Sequence, residues 1–489
     1  MTGSPNVARL LLPALRWNAE TGFGHCRDEV ERGLRLGVGG FILFGGEADA
    51  VRALTAELHR RAPYPLLIAS DLERGAGQQF RGATPLPPAA AIGWLDEPET
   101  AERAGELTAR EARALGVNWI YAPVADVDLE PENPIIGTRA FGTDPERVAE
   151  QVAAWVRGCE RGGALACAKH FPGHGRTVGD SHIERPCVYV PRAELEEDLR
   201  PFRAATAAGV AAMMTAHVCY TALDPDGLPA TLSPRILGGV LRGELGFEGL
   251  VVTDAIIMEG LVEDMTEVQA SVRSVAAGCD LLLYPDDAEA VAAELRAALE
   301  DGRLPAARVD DALRRIAAAA ERVAGGPSGE WGLEDDRRWA LETAVRTLRV
   351  IRGAPAIPEG PVRLVEVEDD LGGPYPPYPR DAFPAALRAA GVELAEEGTT
   401  LVAVYSDIRA WKGRPGISAA AQQRVREATA ADPDATVVLF SHPRLAGELP
   451  TARNLLAAWG GEALMQEAVV VHLTGAADML PSLAAGLDR

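Results

Sequence analysis

The segment between Lys169 and His182, KHFPGHGRTVGDSH, concentrates side chains that can carry protons or bind metal ions. It contains three histidines, one lysine, one arginine and one aspartate, separated by three glycines and a proline. This composition is too polar for a buried strand and too poor in apolar residues for an amphipathic helix. The segment therefore predicts a loop, and its residue types suit metal binding or proton transfer.

A metal site in this region would draw on His170, His174 and His182, with His217 as a fourth ligand. However, His170 and His174 belong to a predicted strand end and a Pro-Gly turn, so the two rings lack the shared face that an i, i+4 pair has on a helix. The first predicted strand also lacks the histidine pair that is usual in barrel metallohydrolases. We therefore predict no metal and no other cofactor.

Asp180 and His182 are separated by one residue on the same glycine-containing loop. At this spacing the carboxylate can accept a hydrogen bond from one imidazole nitrogen, which fixes the tautomer and makes the ring a proton donor near neutral pH. The competing interpretations are an Asx-turn or helix cap for Asp180 and a structural histidine for His182. The surrounding glycines further predict a hinge that would bring the dyad onto bound substrate.

Asp254 ends the apolar segment GLVVTD, so its carboxylate is expected to lie inside the mouth of the predicted fold. Next to Lys169 or Arg139 this carboxylate would stay ionised, and it could then act as a nucleophile. A nucleophilic carboxylate together with a separate proton donor is what a retaining glycosidase requires.

The elements that must position these residues are visible in the first 300 residues, where short apolar segments alternate with segments of helical period. Eight such strand–helix units predict an α/β fold of the (β/α)8 TIM type, since a doubly wound sheet would have fewer strands and a glycine-rich turn after the first. Catalytic groups of such barrels lie at the carboxyl ends of the strands. The polar strand ends in this sequence are Asp71, Asp126, Lys169 with His170, His217, Asp254 and Tyr284.

A Gly-, Pro- and Ser-rich break, GGPSGEWGLEDD, marks a predicted domain boundary. We assign residues 1–325 to the catalytic barrel, 326–355 to a linker and connecting helix, and 356–489 to a smaller α/β domain with a three-layer sheet. Within that smaller domain, AVVVHLTG (468–475) is predicted as a strand and ARNLLAAWGG (452–461) as a helix.

The net charge of −23 argues against nucleic acid or anionic membranes as partners, because binding to either requires a basic face. The six cysteines lack CxxC spacing, which favours reduced thiols over a disulfide framework. The N-terminal segment resembles no signal peptide, and no apolar stretch is long enough to cross a membrane. We predict a cytoplasmic protein that is a monomer or a homodimer.

Two motifs together, KHFPGHGRTVGDSH and the later GFEGLVVTDAIIMEG, resemble family-3 glycoside hydrolases of the bacterial β-N-acetylglucosaminidase branch. The resemblance continues through LLIASDLERGAGQQF and YAPVADVDLEPENPIIGTRAFGTDP and covers nearly all of the predicted barrel. The C-terminal part is more weakly similar to the second domain of the two-domain members. The resemblance implies a small carbohydrate as substrate and no cofactor.

The resemblance also implies a role for each matching residue. Asp254 would be the nucleophile that forms a covalent glycosyl-enzyme, and His182, supported by Asp180, would be the acid/base. The substrate-binding set would comprise Asp71, Arg139, Lys169, His170, His217 and Met258.

Three positions depart from the family pattern: Arg176 and Ala255 each stand where an aspartate is common, and Gln79 stands where an arginine contacts sugar. Arg176 either meets a carboxylate of the substrate or is a surface charge. The leading hypothesis is a retaining exo-β-N-acetylglucosaminidase acting on peptidoglycan fragments, in peptidoglycan recycling, or on chitooligosaccharides. A β-N-acetylglucosaminide phosphorylase and a β-glucosidase are alternatives on the same scaffold, and a non-enzymatic sugar-binding protein is less favoured.

Overall fold

A computed structural model describes residues 6–357, 360–370 and 378–475 of the chain. These residues form two compact units. The first unit lies within residues 1–83, 98–129 and 143–331, and the second within 84–97, 130–142 and 332–489.

The strands of the first unit form one parallel barrel sheet and a small pair beside it. The barrel order is β1-β11-β10-β8-β6-β5-β4-β3-β2, and β7 pairs with β9. The strands are β1 (Leu11–Leu12), β2 (Ala14–Arg16), β3 (Gly40–Phe44), β4 (Leu67–Ser70), β5 (Trp119–Ile120), β6 (Leu165–Phe171), β7 (Cys187–Val188), β8 (Ala212–Thr215), β9 (Cys219–Tyr220), β10 (Leu250–Ala255) and β11 (Leu281–Leu283).

The barrel closes through its first strand, which Pro13 divides into β1 and β2. Proline has no N–H to donate to a sheet, so the strand is interrupted there. Its first half pairs with β11 and its second half with β3, and both pairings are parallel. The predicted (β/α)8 barrel is therefore confirmed.

Helices connect the successive barrel strands along the chain. In the first 331 residues they are α1 (Arg27–Leu36), α2 (Ala48–Arg61), α3 (Ala89–Trp94), α4 (Pro98–Ala114), α5 (Pro145–Arg161), α6 (Leu195–Ala207), a π-helix (Arg235–Glu244), α7 (Glu259–Val262), α8 (Glu267–Ala277), α9 (Ala288–Glu300) and α10 (Ala306–Arg322). Short 3-10 helices are Val7–Leu10, Gly24–Cys26, Ala76–Gln78 and Ala230–Leu232. Helix α3 belongs to the second unit.

The second unit is built on a sheet of order β12-β16-β15-β14-β13, in which only the edge strand β12 is antiparallel to its neighbour among the described residues. Its elements are the 3-10 helices Gly137–Arg139 and Pro443–Glu448, the helices α11 (Glu334–Thr347), α12 (Ala382–Ala389), α13 (Ala419–Ala431) and α14 (Ala463–Thr474), and the strands β12 (Arg349–Arg352), β13 (Val362–Glu368), β14 (Thr399–Tyr405), β15 (Thr436–Phe440) and β16 (Asn454–Ala457).

Helices cover both faces of this sheet, which confirms the predicted smaller α/β domain. On one face α13 packs into a core that includes Val425, Val402 and Leu439. On the other face the rings of Phe383 on α12 and Phe440 on β15 meet edge to face at 5.2 Å.

Two predicted elements of this unit are wrong. AVVVHLTG is the end of helix α14 rather than a strand, and the predicted helix ARNLLAAWGG contains strand β16. A short apolar segment is compatible with a buried strand or a buried helix, so tertiary packing decides between them. Residues Leu464–Val471 of α14 are all buried, so this helix has no polar face that would reveal its period. In the described residues, no helix is long and apolar enough to span a membrane.

Candidate active site

Polar residues gather at the carboxyl edge of the barrel sheet, as a TIM barrel requires. Asp71 directly follows β4, and Lys169 and His170 lie near the end of β6. His217 comes two residues after β8, and Asp254 is the penultimate residue of β10. Because β4, β6, β8 and β10 belong to one parallel barrel, these five residues lie at the same rim.

The Asp254 carboxylate is held in its ionised form. Its Oδ1 accepts a hydrogen bond from the backbone N–H of Ala255 at 2.7 Å. Burial acts to raise the pKa of Asp254, but the nearby imidazoles, led by His170 and His217, outweigh burial and lower the pKa to about 2. At neutral pH this carboxylate is therefore available as a nucleophile.

Asp180 and His182 form a hydrogen-bonded dyad. His182 Nδ1 lies 2.7 Å from Asp180 Oδ1, and the same oxygen accepts the backbone N–H of His182 at 2.9 Å. An ionised carboxylate only accepts hydrogen bonds, so Nδ1 carries the proton of the neutral His182 ring. Nε2 is then the nitrogen that can exchange a proton with substrate. The Asp180 side chain is buried, whereas 22% of the His182 side chain is exposed. Asp180 thus makes the Asx-type contact of the competing interpretation and also contacts the ring.

The loop that carries this dyad is docked on the barrel. The His174 ring bridges Thr177 Oγ1 at 2.8 Å and Ser181 Oγ at 2.9 Å, and the His174 backbone N–H donates to Asp126 at 2.6 Å. Burial, followed by the charge of His170, lowers the pKa of His174 to about 4. A neutral His174 therefore acts as a structural link inside the loop.

The glycines of this loop permit close approach to neighbouring backbone, and the hinge stays a prediction. A Cβ on Gly175 would lie 1.6 Å from the carbonyl oxygen of Val127, so only glycine fits there. The carbonyl of Gly173 accepts a hydrogen bond from the buried hydroxyl of Tyr220 at 2.6 Å. Both contacts tie the loop to its neighbours in the first unit.

The dyad loop is also linked to the segment that follows Asp254. The backbone N–H of Gly260 donates to the carbonyl oxygen of Ser181 at 3.1 Å. Arg185 Nε donates to the carbonyl oxygen of Gly260 at 2.9 Å. The loop that carries the acid/base candidate is therefore hydrogen-bonded to the segment that follows the nucleophile candidate.

Lys169 lies between two carboxylates. Its Nζ is 2.7 Å from Asp71 Oδ1 and 2.7 Å from Glu73 Oε1. The side chain of Lys169 is buried, whereas that of Asp71 remains partly exposed at the mouth. The ammonium group therefore fixes one oxygen of Asp71, and the partly exposed carboxylate can accept further hydrogen bonds from sugar hydroxyls.

His170 is oriented by Asp126, whose Oδ2 lies 2.7 Å from His170 Nδ1. Burial acts to raise the pKa of Asp126, but His170 and the His174 backbone N–H outweigh it and hold the pKa below its usual value. Asp126 therefore stays ionised, keeps the Nδ1 proton of His170 and directs Nε2 away from itself.

His217 is fixed at both ring nitrogens. Nδ1 lies 2.7 Å from Thr231 Oγ1 and Nε2 lies 3.1 Å from the carbonyl oxygen of Ala255. Burial lowers the pKa of His217 despite the opposing charge of Asp254. The neutral ring therefore donates from Nε2 to the backbone beside Asp254, and this contact positions the end of β10.

The four histidines of the metal hypothesis have different partners. His170 contacts Asp126, His174 contacts Thr177 and Ser181, His182 contacts Asp180, and His217 contacts Thr231 and Ala255. Within the described part of the chain, no group of three histidine, cysteine or acidic residues is arranged to hold a metal ion.

Arg139 and Met258 are the two remaining members of the predicted substrate-binding set. Arg139 ends the 3-10 helix Gly137–Arg139 of the second unit, where its guanidinium donates to the carbonyl oxygen of Ile135 at 3.3 Å. Met258 is buried in the first unit and immediately precedes helix α7.

The three departures from the family pattern have distinct local contacts. Gln79 Oε1 accepts the backbone N–H of Gly45 at 2.9 Å, so its amide supports the loop after β3. Arg176 donates to Asp198 at 2.7 Å and to Glu197 at 2.6 Å, both on α6. The carbonyl of Ala255 accepts the hydrogen bond from His217 described above.

Glu73, Thr231 and Ser181 are functional candidates that the sequence alone does not single out. Glu73 follows Asp71 by two residues, which is the only sequence signal for its contact with Lys169. Thr231 and Ser181 act through hydrogen bonds to histidines, and hydroxyl residues in loops carry no distinctive pattern.

Comparisons with known proteins identify the family to which this sequence is similar. Residues 25–319 match the model of the glycosyl hydrolase family 3 N-terminal domain. A β-N-acetylglucosaminidase/β-glucosidase of Cellulomonas fimi is 34% identical over 347 residues, which are 67% of this chain and 61% of that protein, less than two thirds of its length. A β-hexosaminidase of Chromobacterium violaceum is 40% identical over 289 residues, covering 56% of this chain and 80% of that protein.

A solved structure has the same two-part architecture. The glycoside hydrolase family 3 β-N-acetylglucosaminidase from Paenibacillus sp. str. FPU-7 matches with a TM-score of 0.85 at 30% identity, and the match covers 97% of both chains. The family model covers more than half of the present sequence. The chain is therefore a member of glycosyl hydrolase family 3.

Proposed function

We propose that this chain is a retaining exo-β-N-acetylglucosaminidase that works through a covalent glycosyl-enzyme. The observation that carries the proposal is the pairing of two groups: the ionised Asp254 carboxylate, and the His182–Asp180 dyad on a loop hydrogen-bonded to the Asp254 segment. The names of the relatives from Cellulomonas fimi and Chromobacterium violaceum support an N-acetylhexosamine as the released sugar.

In the first step, a carboxylate oxygen of Asp254 attacks the anomeric carbon while the bond to the leaving oxygen breaks. His182 donates the proton from Nε2 to that oxygen, so the leaving group departs as a neutral alcohol. In the second step, His182 takes a proton from a water molecule as the water attacks the same carbon. The ester bond breaks, Asp254 is released as a carboxylate, and His182 regains its proton.

The remaining residues bind or position. Asp71, aligned by Lys169 and Glu73, accepts hydrogen bonds from sugar hydroxyls, and His170 supplies a further polar contact. His217 positions the backbone at Asp254, because both of its nitrogens are already engaged. Contacts of Arg139 and Met258 with the sugar stay predictions. A cytoplasmic location and a monomeric or homodimeric state also stay predictions from the sequence.

An assay with aryl glycosides separates this proposal from its alternatives. The wild-type protein should release nitrophenol from a nitrophenyl β-N-acetylglucosaminide faster than from the matching β-glucoside, and added phosphate should change neither rate nor product. A glycosyl phosphate product would identify a phosphorylase, and a faster reaction with the glucoside would identify a β-glucosidase. Asp254→Asn should lower kcat by at least about 10³-fold, because it removes the nucleophile while preserving the shape of the side chain.

A further inference from the structure

Two cysteines face each other across the small strand pair of β7 and β9. Cys187 on β7 and Cys219 on β9 are register partners, and the pairing of the two strands is parallel. Both residues are free thiols, and Cys187 is partly exposed whereas Cys219 is buried. The proposed hydrolysis uses neither thiol, so the pair is available for a separate role.

The strand pairing places these two residues at a spacing that a disulfide bond can span. Neighbouring strands of a sheet lie about 4.8 Å apart, and side chains at paired positions project from the same face. A disulfide joins Cα atoms that are about 4.4 to 6.8 Å apart. Rotation about the two Cα–Cβ bonds would therefore bring the sulfur atoms together while the strands keep their register.

The two thiols already contact each other. Burial, followed by a hydrogen bond with the Cys187 thiol, raises the pKa of Cys219 to about 12. A hydrogen bond with the same Cys187 thiol raises the pKa of Tyr189, whose side chain is 76% exposed. The sulfur of Cys187 therefore lies between a buried thiol and a solvent-exposed ring, where a small molecule can reach it.

This pair of cysteines lies where the dyad loop ends. Cys187 follows His182 by five residues. The backbone N–H of Cys219 donates to the carbonyl oxygen of Pro186 at 2.9 Å. This hydrogen bond joins the end of the dyad loop to the segment after β8, so a covalent bond at the same place would strengthen an attachment that already exists.

We propose that Cys187 and Cys219 form a reversible disulfide by exchange with a small-molecule disulfide, and that this bond tethers the end of the dyad loop to β9. The pair is then a modification site that goes beyond the proposed hydrolysis and does not depend on it.

The exchange consists of two substitutions at sulfur. The Cys187 thiolate attacks one sulfur of the small disulfide, whose S–S bond breaks, and one small thiolate leaves. Cys219 then loses its proton to solvent, attacks the Cys187 sulfur and displaces the second small thiolate. Two electrons pass from the two cysteines to the small disulfide, and the two released thiolates take up protons equal in number to those that the cysteines lose.

Peptide mapping tests whether the bond forms. The reduced protein would be incubated with oxidised glutathione, quenched with acid, alkylated at its remaining thiols and digested with trypsin. Because Arg185 precedes a proline and is not cleaved, Cys187 falls in peptide 177–192 and Cys219 in peptide 204–235, and each peptide contains one cysteine. We expect these two peptides to be joined by a disulfide that dithiothreitol removes.

Serine variants distinguish ring closure from simple modification of one thiol. In Cys219→Ser, the glutathione adduct on Cys187 should exceed that of the wild type by about tenfold or more, because no second thiol displaces the glutathione. Cys26→Ser is the matched control, since Cys26 is also a buried free thiol, and this variant should still give the joined peptides. A stable glutathione adduct on Cys187 of the wild type, or no reaction at either cysteine, would overturn the proposal.

Hydrogen exchange tests whether the bond tethers the loop. The amides to follow are those of Cys219 and Thr221, which donate to the carbonyl oxygens of Pro186 and Val188. A covalent link limits the separation of β7 from β9, so exchange at both amides should slow by about tenfold or more on oxidation. Cys187→Ser, treated in the same way, should show no change. Equal exchange rates in the reduced and oxidised wild-type protein would overturn the tether.

Discussion

Replacement of Asp180 by asparagine should selectively impair proton transfer to poor leaving groups. The contact between Asp180 and His182 is a short 2.7 Å hydrogen bond, and the carboxylate is buried, so solvent screens it little. A hydrogen bond to a charged group contributes about 2 kcal/mol, so loss of this contact should slow proton donation by the ring by about 30-fold. Asparagine can also present its NH₂ group to Nδ1, which would favour the wrong tautomer.

The assay compares two substrates that differ in leaving-group basicity. For Asp180→Asn we expect kcat to fall by about 30-fold or more with a sugar leaving group, and by only a few-fold with dinitrophenol, which departs without a proton. Asp301→Asn is the matched control, because Asp301 Oδ1 also accepts the backbone N–H two residues further on, at 3.0 Å. Equal losses for both leaving groups would show that Asp180 has no specific role in proton transfer.

Three further variants test the energetics of the fold. Burial raises the pKa of Glu467 from its usual 4.5 to about 8. The contribution of this group to stability is therefore fully present below pH 4.5 and is lost progressively as pH rises to 8. In urea denaturation, Glu467→Gln should therefore raise the free energy of unfolding by about 3 kcal/mol at pH 7 and leave it unchanged at pH 4. An equal effect at both pH values would contradict this. The buried hydroxyl of Tyr121 has no hydrogen-bond partner among the described residues. Tyr121→Phe should therefore raise the free energy of unfolding by about 1 kcal/mol. A loss of stability would show that the hydroxyl makes a hydrogen bond. Asp280 is buried between Arg308 and Arg242. Asp280→Ala should therefore lower the free energy of unfolding by about 3 kcal/mol or more. An unchanged thermal midpoint would show that these ion pairs do not stabilise the fold.

The barrel and its polar strand ends are predictable from the sequence because each buried parallel strand is a continuous apolar segment with a polar residue after it. That pattern locates Asp71, Lys169 and Asp254 correctly at the carboxyl edge of one sheet. The same reasoning fails in the second unit, where α14 and β16 are both short apolar segments. Their identity depends on neighbours that are distant in the sequence.

The loop between β6 and the dyad contains residues whose partners could not be predicted from the sequence. Its glycines suggest mobility, but Gly175 is required by a contact with Val127, which is far away in the sequence. Arg176 is ambiguous in the sequence, and its ion pairs with Asp198 and Glu197 become visible only when α6 is placed beside the loop. The residue types of the site are thus predictable, whereas their partners require the fold.

The central claim is that Asp254 forms a covalent bond to the sugar, and trapping that intermediate tests it most directly. The wild-type protein would be incubated with a 5-fluoro N-acetylglucosaminyl fluoride, which slows breakdown of the glycosyl ester, then digested and examined by mass spectrometry. We predict that one sugar is attached to the peptide that contains Asp254 and that Asp254→Asn carries no label. Attachment of the sugar to another residue, or turnover of the wild-type protein without any labelled peptide, would contradict this account.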